Sequence, residues 1–280
     1  MSSHREQFAV AGTTLFVESR GSGPLFLFIV GGNGDPAIYA GVAAQLEAHF
    51  HVVTYTRRGF VGSPLDGPVD STTRVATDVE DAVALLGHFT SSPAIIFGSS
   101  SGVIVALDLA LRHPDLIDIV ILHEPPILDL LDNSDVWAAK FGSIHASFER
   151  DGLWPAIATF GETVGLGRPM GPSPFVRASP QEKAMLDRTQ ANMTFWFEHE
   201  LRQYPAYLIN MANVEAVAGK LVLAGGTRSR ESGAMPFLPI AQLATRLHRE
   251  VVEFPGGHTG YLEQPGPFAQ HLESVLSARR

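Results

Sequence analysis

A mostly parallel β-sheet, covered by helices on both faces and interrupted by a helical insertion, is the fold class this sequence predicts. Short, continuously apolar runs of buried-strand length recur through the first half of the chain and return near its end. Amphipathic segments of helix length separate them, and between about residues 125 and 213 the strand signal disappears. Strands that are apolar throughout are covered on both faces, which is how strands of parallel sheets sit between helices. One-sided antiparallel strands alternate instead.

The elements follow in order. Residues 8–18 form two short strands folded about Gly12, a hairpin at the sheet edge. Residues 25–30 are a buried strand, 39–49 carry helical spacing, and 51–55 are a strand. A helix is expected over 72–89, opened by Ser71 and carrying acids in its early turns. Strand 94–97 leads into helix 102–113, which Pro114 stops, and then into strand 117–122. The next stretch has helical periodicity, is broken by Pro and Gly above all between 165 and 180, and holds Trp137, Trp154 and Trp196. The α/β rhythm then resumes with strand 220–224, helix 240–247, strand 250–254 and helix 267–277. The sum is an eight-stranded sheet with a helical cap inserted after its sixth strand. The α/β core is 1–125 together with 214–280, and the cap is 126–213.

Composition narrows the class. A chain of 280 residues, 45% hydrophobic, buries a full core as one large domain carrying an insertion. With no cysteine it has neither disulfides nor thiolate metal sites. The start, Met1-Ser2-Ser3-His4-Arg5-Glu6-Gln7, lacks the basic-then-apolar plan of a secretory leader, and no apolar run approaches the ~20 residues that span a bilayer. A net charge of −9 without a basic cluster argues against nucleic acid and anionic membrane as partners. A cytoplasmic protein acting on a small molecule, without metal or cofactor, is expected; a homodimer is left open.

The richest local signal is Gly98-Ser99-Ser100-Ser101-Gly102, between an apolar run and a helical one. A strand turning sharply into a helix leaves no room beside the turning residue, hence the flanking glycines. Ser100 is then held strained, its hydroxyl exposed at the carboxyl edge of the sheet as a nucleophile. A serine hydroxyl needs a base. Of the eleven histidines, His258 in Pro255-Gly256-Gly257-His258 follows the last strand and hangs at that same edge, while most others occupy helix or strand positions or a helix end.

The imidazole in turn needs an acid. Behind the penultimate strand, Gly225-Gly226-Thr227-Arg228-Ser229-Arg230-Glu231 offers only Glu231, flanked by arginines that could pair with it. Glu124 closes the strand after the nucleophile's helix, before Pro125-Pro126, and is the favoured acid. His123 beside it is either a supporting group or a buried structural imidazole. Charge developing on a carbonyl oxygen requires fixed N–H donors. The Ser101 N–H is one, and Gly32 or Asn33 in Gly31-Gly32-Asn33-Gly34-Asp35 supplies the other. That loop lacks the lysine of a phosphate-binding loop.

These pieces, with Tyr55-Thr56-Arg57-Arg58-Gly59-Phe60-Val61-Gly62-Ser63 and His113-Pro114-Asp115, resemble the α/β-hydrolase superfamily over nearly the whole chain. Two departures stand out: Gly31-Gly32 replaces the family's common His-Gly, and the usual acid after the penultimate strand is missing. His123-Glu124-Pro125 is similar to the branch of zearalenone-type lactone hydrolases and related uncharacterised actinobacterial hydrolases, whose acid is a glutamate in the matching place. The resemblance implies an α/β-hydrolase fold, a Ser100–Glu124–His258 triad, and cleavage of a hydrophobic ester or lactone. Trp137, Phe195, Trp196 and Phe197 are expected either to line the pocket or to pack the cap on the core. Epoxide hydrolases and dehalogenases on this fold use an aspartate nucleophile, which Ser100 is not. Cofactor-independent oxygenase, perhydrolase or carbon–carbon hydrolase chemistry, and a non-turnover small-molecule receptor, are the competing functions.

Overall fold

A computed structural model describes residues 3–167 and 179–279. The strands are β1 (His4–Val10), β2 (Thr13–Arg20), β3 (Leu25–Ile29), β4 (His51–Tyr55), β5 (Ala94–Ser99), β6 (Ile117–His123), β7 (Leu221–Gly226) and β8 (Val252–Phe254). They form one sheet in the order β1-β2-β4-β3-β5-β6-β7-β8. β1 and β2 enter antiparallel, and every pairing from β4 to β8 is parallel.

Alternation along each strand builds two cores. Leu25, Leu27 and Ile29 of β3, with Ala94 and Ile96 of β5, face one layer; Phe26, Phe28, Ile95 and Phe97 face the other. Helices α1 (Ala40–Leu46), α2 (Arg74–Phe89) and α3 (Ser101–Arg112) follow the early strands. Between β6 and β7 run α4 (Ser134–Asp151), α5 (Leu153–Thr163), α6 (Pro180–His199) and α7 (Met211–Val217), with no strand among the described residues there. α8 (Thr227–Ser232), α9 (Phe237–Arg246), α10 (Gly260–Glu263) and α11 (Pro265–Ser277) complete the chain. Each fully buried Phe or Leu contributes about 1.5–3 kcal/mol, so the layers hold the strand ends in fixed register. No helix among the described residues is long and apolar enough to cross a membrane.

Two local expectations are corrected. Ser71 does not open α2: the Asp70 carboxylate accepts from the Thr72 N–H at 2.9 Å and from the Thr72 and Thr73 hydroxyls at 2.6 and 2.9 Å. This Asx turn delays the helix to Arg74. Asp78 and Asp81 point inward and pair with Arg57 and Arg58. The residues after β7, read as a loop, form the short helix α8. Most of the Pro/Gly break at 165–180 lies outside the described residues.

Candidate active site

Ser100 stands alone between β5 and α3 with φ 55° and ψ −129°. A non-glycine residue there stores roughly 1–3 kcal/mol of strain and persists only where its surroundings enforce it. They do: the Ser100 N–H donates to the His123 carbonyl at 3.0 Å. A methyl on Gly98 would meet the Gly102 carbonyl at 2.7 Å, and one on Gly102 would meet the Ile29 carbonyl at 2.3 Å. Only glycines let strand, helix and the neighbouring strand approach this closely. The Ser101 N–H lies in the first turn of α3, where helix geometry offers it no partner.

Glu124 also has a positive φ, 53°, at the end of β6. It is fully buried, and its two oxygens have separate partners. Oε1 accepts the Gly226 N–H at 2.7 Å, and Oε2 lies 2.7 Å from His258 Nδ1. Burial pushes its carboxyl up, but the hydrogen bond from His258, the electrostatic pull of the neighbouring His258 and His123 imidazoles, and the Gly226 N–H outweigh it and bring the pKa down to about 2. Glu124 is therefore ionised, the shared proton sits on Nδ1, and Nε2 is left as the basic nitrogen. The structure brings Glu124, not Glu231, to His258. Glu231 is exposed on α8. Its neighbours Arg228 and Arg230 pair with Glu263 and, at 2.9 Å, with Glu253. At Gly226 a Cβ would meet the Gly257 carbonyl at 2.6 Å, so the end of β7 is closed to a side chain there.

The donor loop is a tight turn: the Gly34 N–H donates to the Gly31 carbonyl at 3.1 Å. A methyl on Gly31 would lie 2.8 Å from Ser100 Cβ and 3.5 Å from its hydroxyl. One on Gly32 would strike Trp196 Nε1 at 2.4 Å. The loop thus runs between the nucleophile candidate and the Trp196 indole on α6. No described hydrogen bond uses the N–H of Gly32 or Asn33.

A cavity of about 550 Å³ opens at His258 between the core and the inserted helices. Its apolar wall is Ile157, Phe160, Leu166 and Met193, and Arg228, Thr259 and Glu263 stand on the core side. Trp137, Phe195, Trp196 and Phe197 do not line it. Trp137 and Phe197 are packed into an apolar cluster with Phe60, Leu128, Phe141, Ile144 and Met235. Phe195 turns the other way on α6, against Phe60 at 4.9 Å and Gly59. Trp196, its neighbour on α6, faces Gly32 and Phe160 instead. Phe160 backs Trp196, with ring centroids 5.1 Å apart. The 153/157/160 spacing on α5 was readable as an apolar face; what that face covered was not. Among the described residues no group of three His, Cys, Asp or Glu side chains is placed to hold a metal ion.

His123 is buried behind the site among Phe97, Phe254, Phe268 and Tyr261. Its Nδ1 lies 3.3 Å from Ser99 Oγ. Burial lowers its pKa to about 4, against the opposing pull of Glu124. The unfolded imidazole binds a proton below about 6.5, whereas the folded one does not until about 4. Stability therefore falls as pH drops through that window, by about 3 kcal/mol in total from this group. His123→Phe should flatten the dependence: between about pH 7 and 5 the wild type loses about 2 kcal/mol more than the variant in urea unfolding. Equal losses would contradict a neutral buried His123.

The fold and this strand-edge arrangement define an α/β hydrolase. The chain belongs to the alpha/beta hydrolase family, whose sequence profile matches residues 26–271. It is 33% identical over 97% of its length, and 95% of the relative's, to the uncharacterized hydrolase YraK of Bacillus subtilis. To the zearalenone hydrolase of Bionectria ochroleuca it is 26% identical, covering 93% of each chain. The crystal structure of the enol-lactonase from Burkholderia xenovorans superposes with a TM-score of 0.67 at 18% identity, over 97% of this chain and all (100%) of that one.

Proposed function

We propose that the chain is a serine hydrolase cleaving a carboxylic ester or lactone of a hydrophobic small molecule through an acyl-enzyme on Ser100. The observation that carries this is the 2.7 Å His258–Glu124 pair at the same sheet edge as the strained Ser100. Ser100 Oγ attacks the carbonyl carbon while His258 Nε2 takes its proton. The imidazolium is stabilised by ionised Glu124. The N–H groups of Ser101 and the 32–33 loop receive the developing oxyanion. The tetrahedral intermediate collapses, His258 returns the proton to the leaving alkoxide, and water activated by the same imidazole releases the acid. In a lactone the alkoxide stays attached, so the product is a hydroxy acid. The cavity's size falls in the roughly 300–1,000 Å³ range of small-ligand sites, and its wall suits an apolar substrate. The likeness to a zearalenone hydrolase and an enol-lactonase favours lactones among the esters.

The test is direct. A fluorophosphonate should label Ser100 stoichiometrically, and kcat/KM on p-nitrophenyl esters should rise with acyl length until the cavity is filled. A macrocyclic lactone should compete. Absence of both labelling and ester turnover would discard hydrolysis in favour of a receptor. Labelling without ester turnover, with oxygen uptake or ketone cleavage instead, would reassign the chemistry.

A further inference from the structure

Beneath the donor loop lies a buried ionic cluster that the hydrolytic steps above do not use. Arg57 is fully buried at its centre. Its Nη1 donates to Asp78 at 2.7 Å, to Glu200 Oε1 at 3.1 Å and to the Tyr204 hydroxyl at 3.1 Å. Its Nη2 donates to Glu200 Oε2 at 2.6 Å and to the Gly31 carbonyl at 3.1 Å. Arg74 grips Glu200 Oε1 from the other side, with contacts of 2.7 and 2.9 Å. A guanidinium held by a carboxylate across both its nitrogens is a rigid plane, so the third contact, to Gly31, is aimed rather than adventitious.

We propose that Arg57, held by Glu200, is the positioning residue of the oxyanion hole and makes the Gly32 N–H, rather than that of Asn33, its second donor. The inference rests on the hydrolase reading. The chain has no cis peptide bond among its described residues, so the Gly32 N–H points opposite to the Gly31 carbonyl. That carbonyl accepts from both Arg57 Nη2 and the Gly34 N–H, which fixes the plane of the Gly31–Gly32 peptide. The Gly32 N–H then faces away from the cluster, on a peptide whose Gly31 end abuts Ser100. A buried cation on the carbonyl also polarises the amide and strengthens its N–H as a donor. The next peptide has no such anchor: no described hydrogen bond holds the Gly32 carbonyl, and the Asn33 side chain is spent on the Asp35 N–H at 2.9 Å.

The anchor reaches into the insertion. Glu200 closes α6, and its N–H donates to the Trp196 carbonyl one turn earlier, at 2.9 Å. Trp196 covers Gly32 from above while Glu200 holds it from below through Arg57. One cap helix thus sets the donor loop from two sides, which ties the cap's seating to the electrostatics of the transition state.

The experiment compares full-length variants on p-nitrophenyl butyrate and on an alkylboronic acid, whose tetrahedral adduct occupies the hole. Lysine cannot span Glu200 and Gly31 at once. Arg57→Lys should lower kcat about 100-fold, leave KM within about threefold, and weaken the boronate by the same factor as kcat. Glu200→Gln, which keeps the side-chain shape, should lose about tenfold in both. Asp81→Asn breaks the neighbouring Arg58 pair and touches neither loop; it should lower stability without moving kcat or boronate affinity. In the wild type, amide NMR of the boronate adduct should move the Gly32 proton downfield and not that of Asn33. A folded Arg57→Lys or Glu200→Gln with unchanged kcat and boronate affinity overturns the proposal, as does a downfield shift at Asn33 in place of Gly32. The NMR arm decides even where the variants do not fold. Loss of the hydrolase reading itself would appear separately, as a wild type that neither turns over esters nor is labelled at Ser100.

Discussion

Ser100→Ala is expected to lower ester turnover by about 10⁴–10⁶-fold while leaving the folded chain intact. The magnitude is that of removing a nucleophile whose base and donors act as one unit, where a residual rate survives on the remaining donors alone. Alanine at φ 55° is as strained as serine, and the backbone bond from residue 100 to the His123 carbonyl does not involve the side chain. The unfolding midpoint should therefore shift little. Single-turnover kinetics and intact-mass labelling measure the effect: the variant should show no acyl or phosphonyl adduct yet still bind the boronic acid's parent hydrocarbon in the cavity. An alanine variant within tenfold of wild type would remove Ser100 from the mechanism.

Glu124→Gln is expected to lower kcat by about 10³–10⁴-fold, and Glu231→Gln by less than about twofold. The reason lies in the count of acceptors. Gly226 N–H and His258 Nδ1–H are both donors, and each carboxylate oxygen of Glu124 takes one of them. A glutamine offers one acceptor and one donor. Keeping the Gly226 bond turns the amide NH₂ toward Nδ1 and forces the imidazole into the tautomer whose basic nitrogen faces away from the serine side. The alternative orientation leaves the Gly226 N–H buried and unpaired, at about 1–3 kcal/mol. Glu231 is exposed and touches none of these groups. Steady-state kcat on the best ester, with urea unfolding to verify folding, ranks the two; the reverse ranking would return the acid to α8.

The parts of the site that were legible in the chain are those set by steric demands over a few residues. The Gly98–Gly102 spacing announces the strand–helix turn because a Cβ at either glycine collides with backbone less than 3 Å away. The apolar runs at β3, β5 and β6 announce strands covered on both faces. Gly256-Gly257 before His258 announces a loop after the final strand. Misread details came from groups competing for the same donors. Asp70 outbids Ser71 at the start of α2 because its carboxylate reaches three donors in one turn. Asp78 of α2 belonged to the Arg57 cluster, which Glu200 at the end of α6 completes by pairing with Arg57, 143 residues away in the chain. Whether the aromatics of the 126–213 stretch line the cavity or pack against the core stayed open in the chain for a similar reason: a helical stripe can be seen in sequence, but which way it faces is fixed by the helices it packs against.

The sequence by itself determined the layered α/β class, the elbow at Ser100 and the histidine loop, because each is a short-range consequence of backbone sterics and apolar periodicity. Only the tertiary structure decided which carboxylate meets His258, which side chains face the cavity, and what grips the Gly31–Gly32 peptide. Those outcomes depend on strand order and helix seating. Glu124 and His258 lie 134 residues apart, and adjacency in the sheet, not distance along the chain, brings their side chains to 2.7 Å.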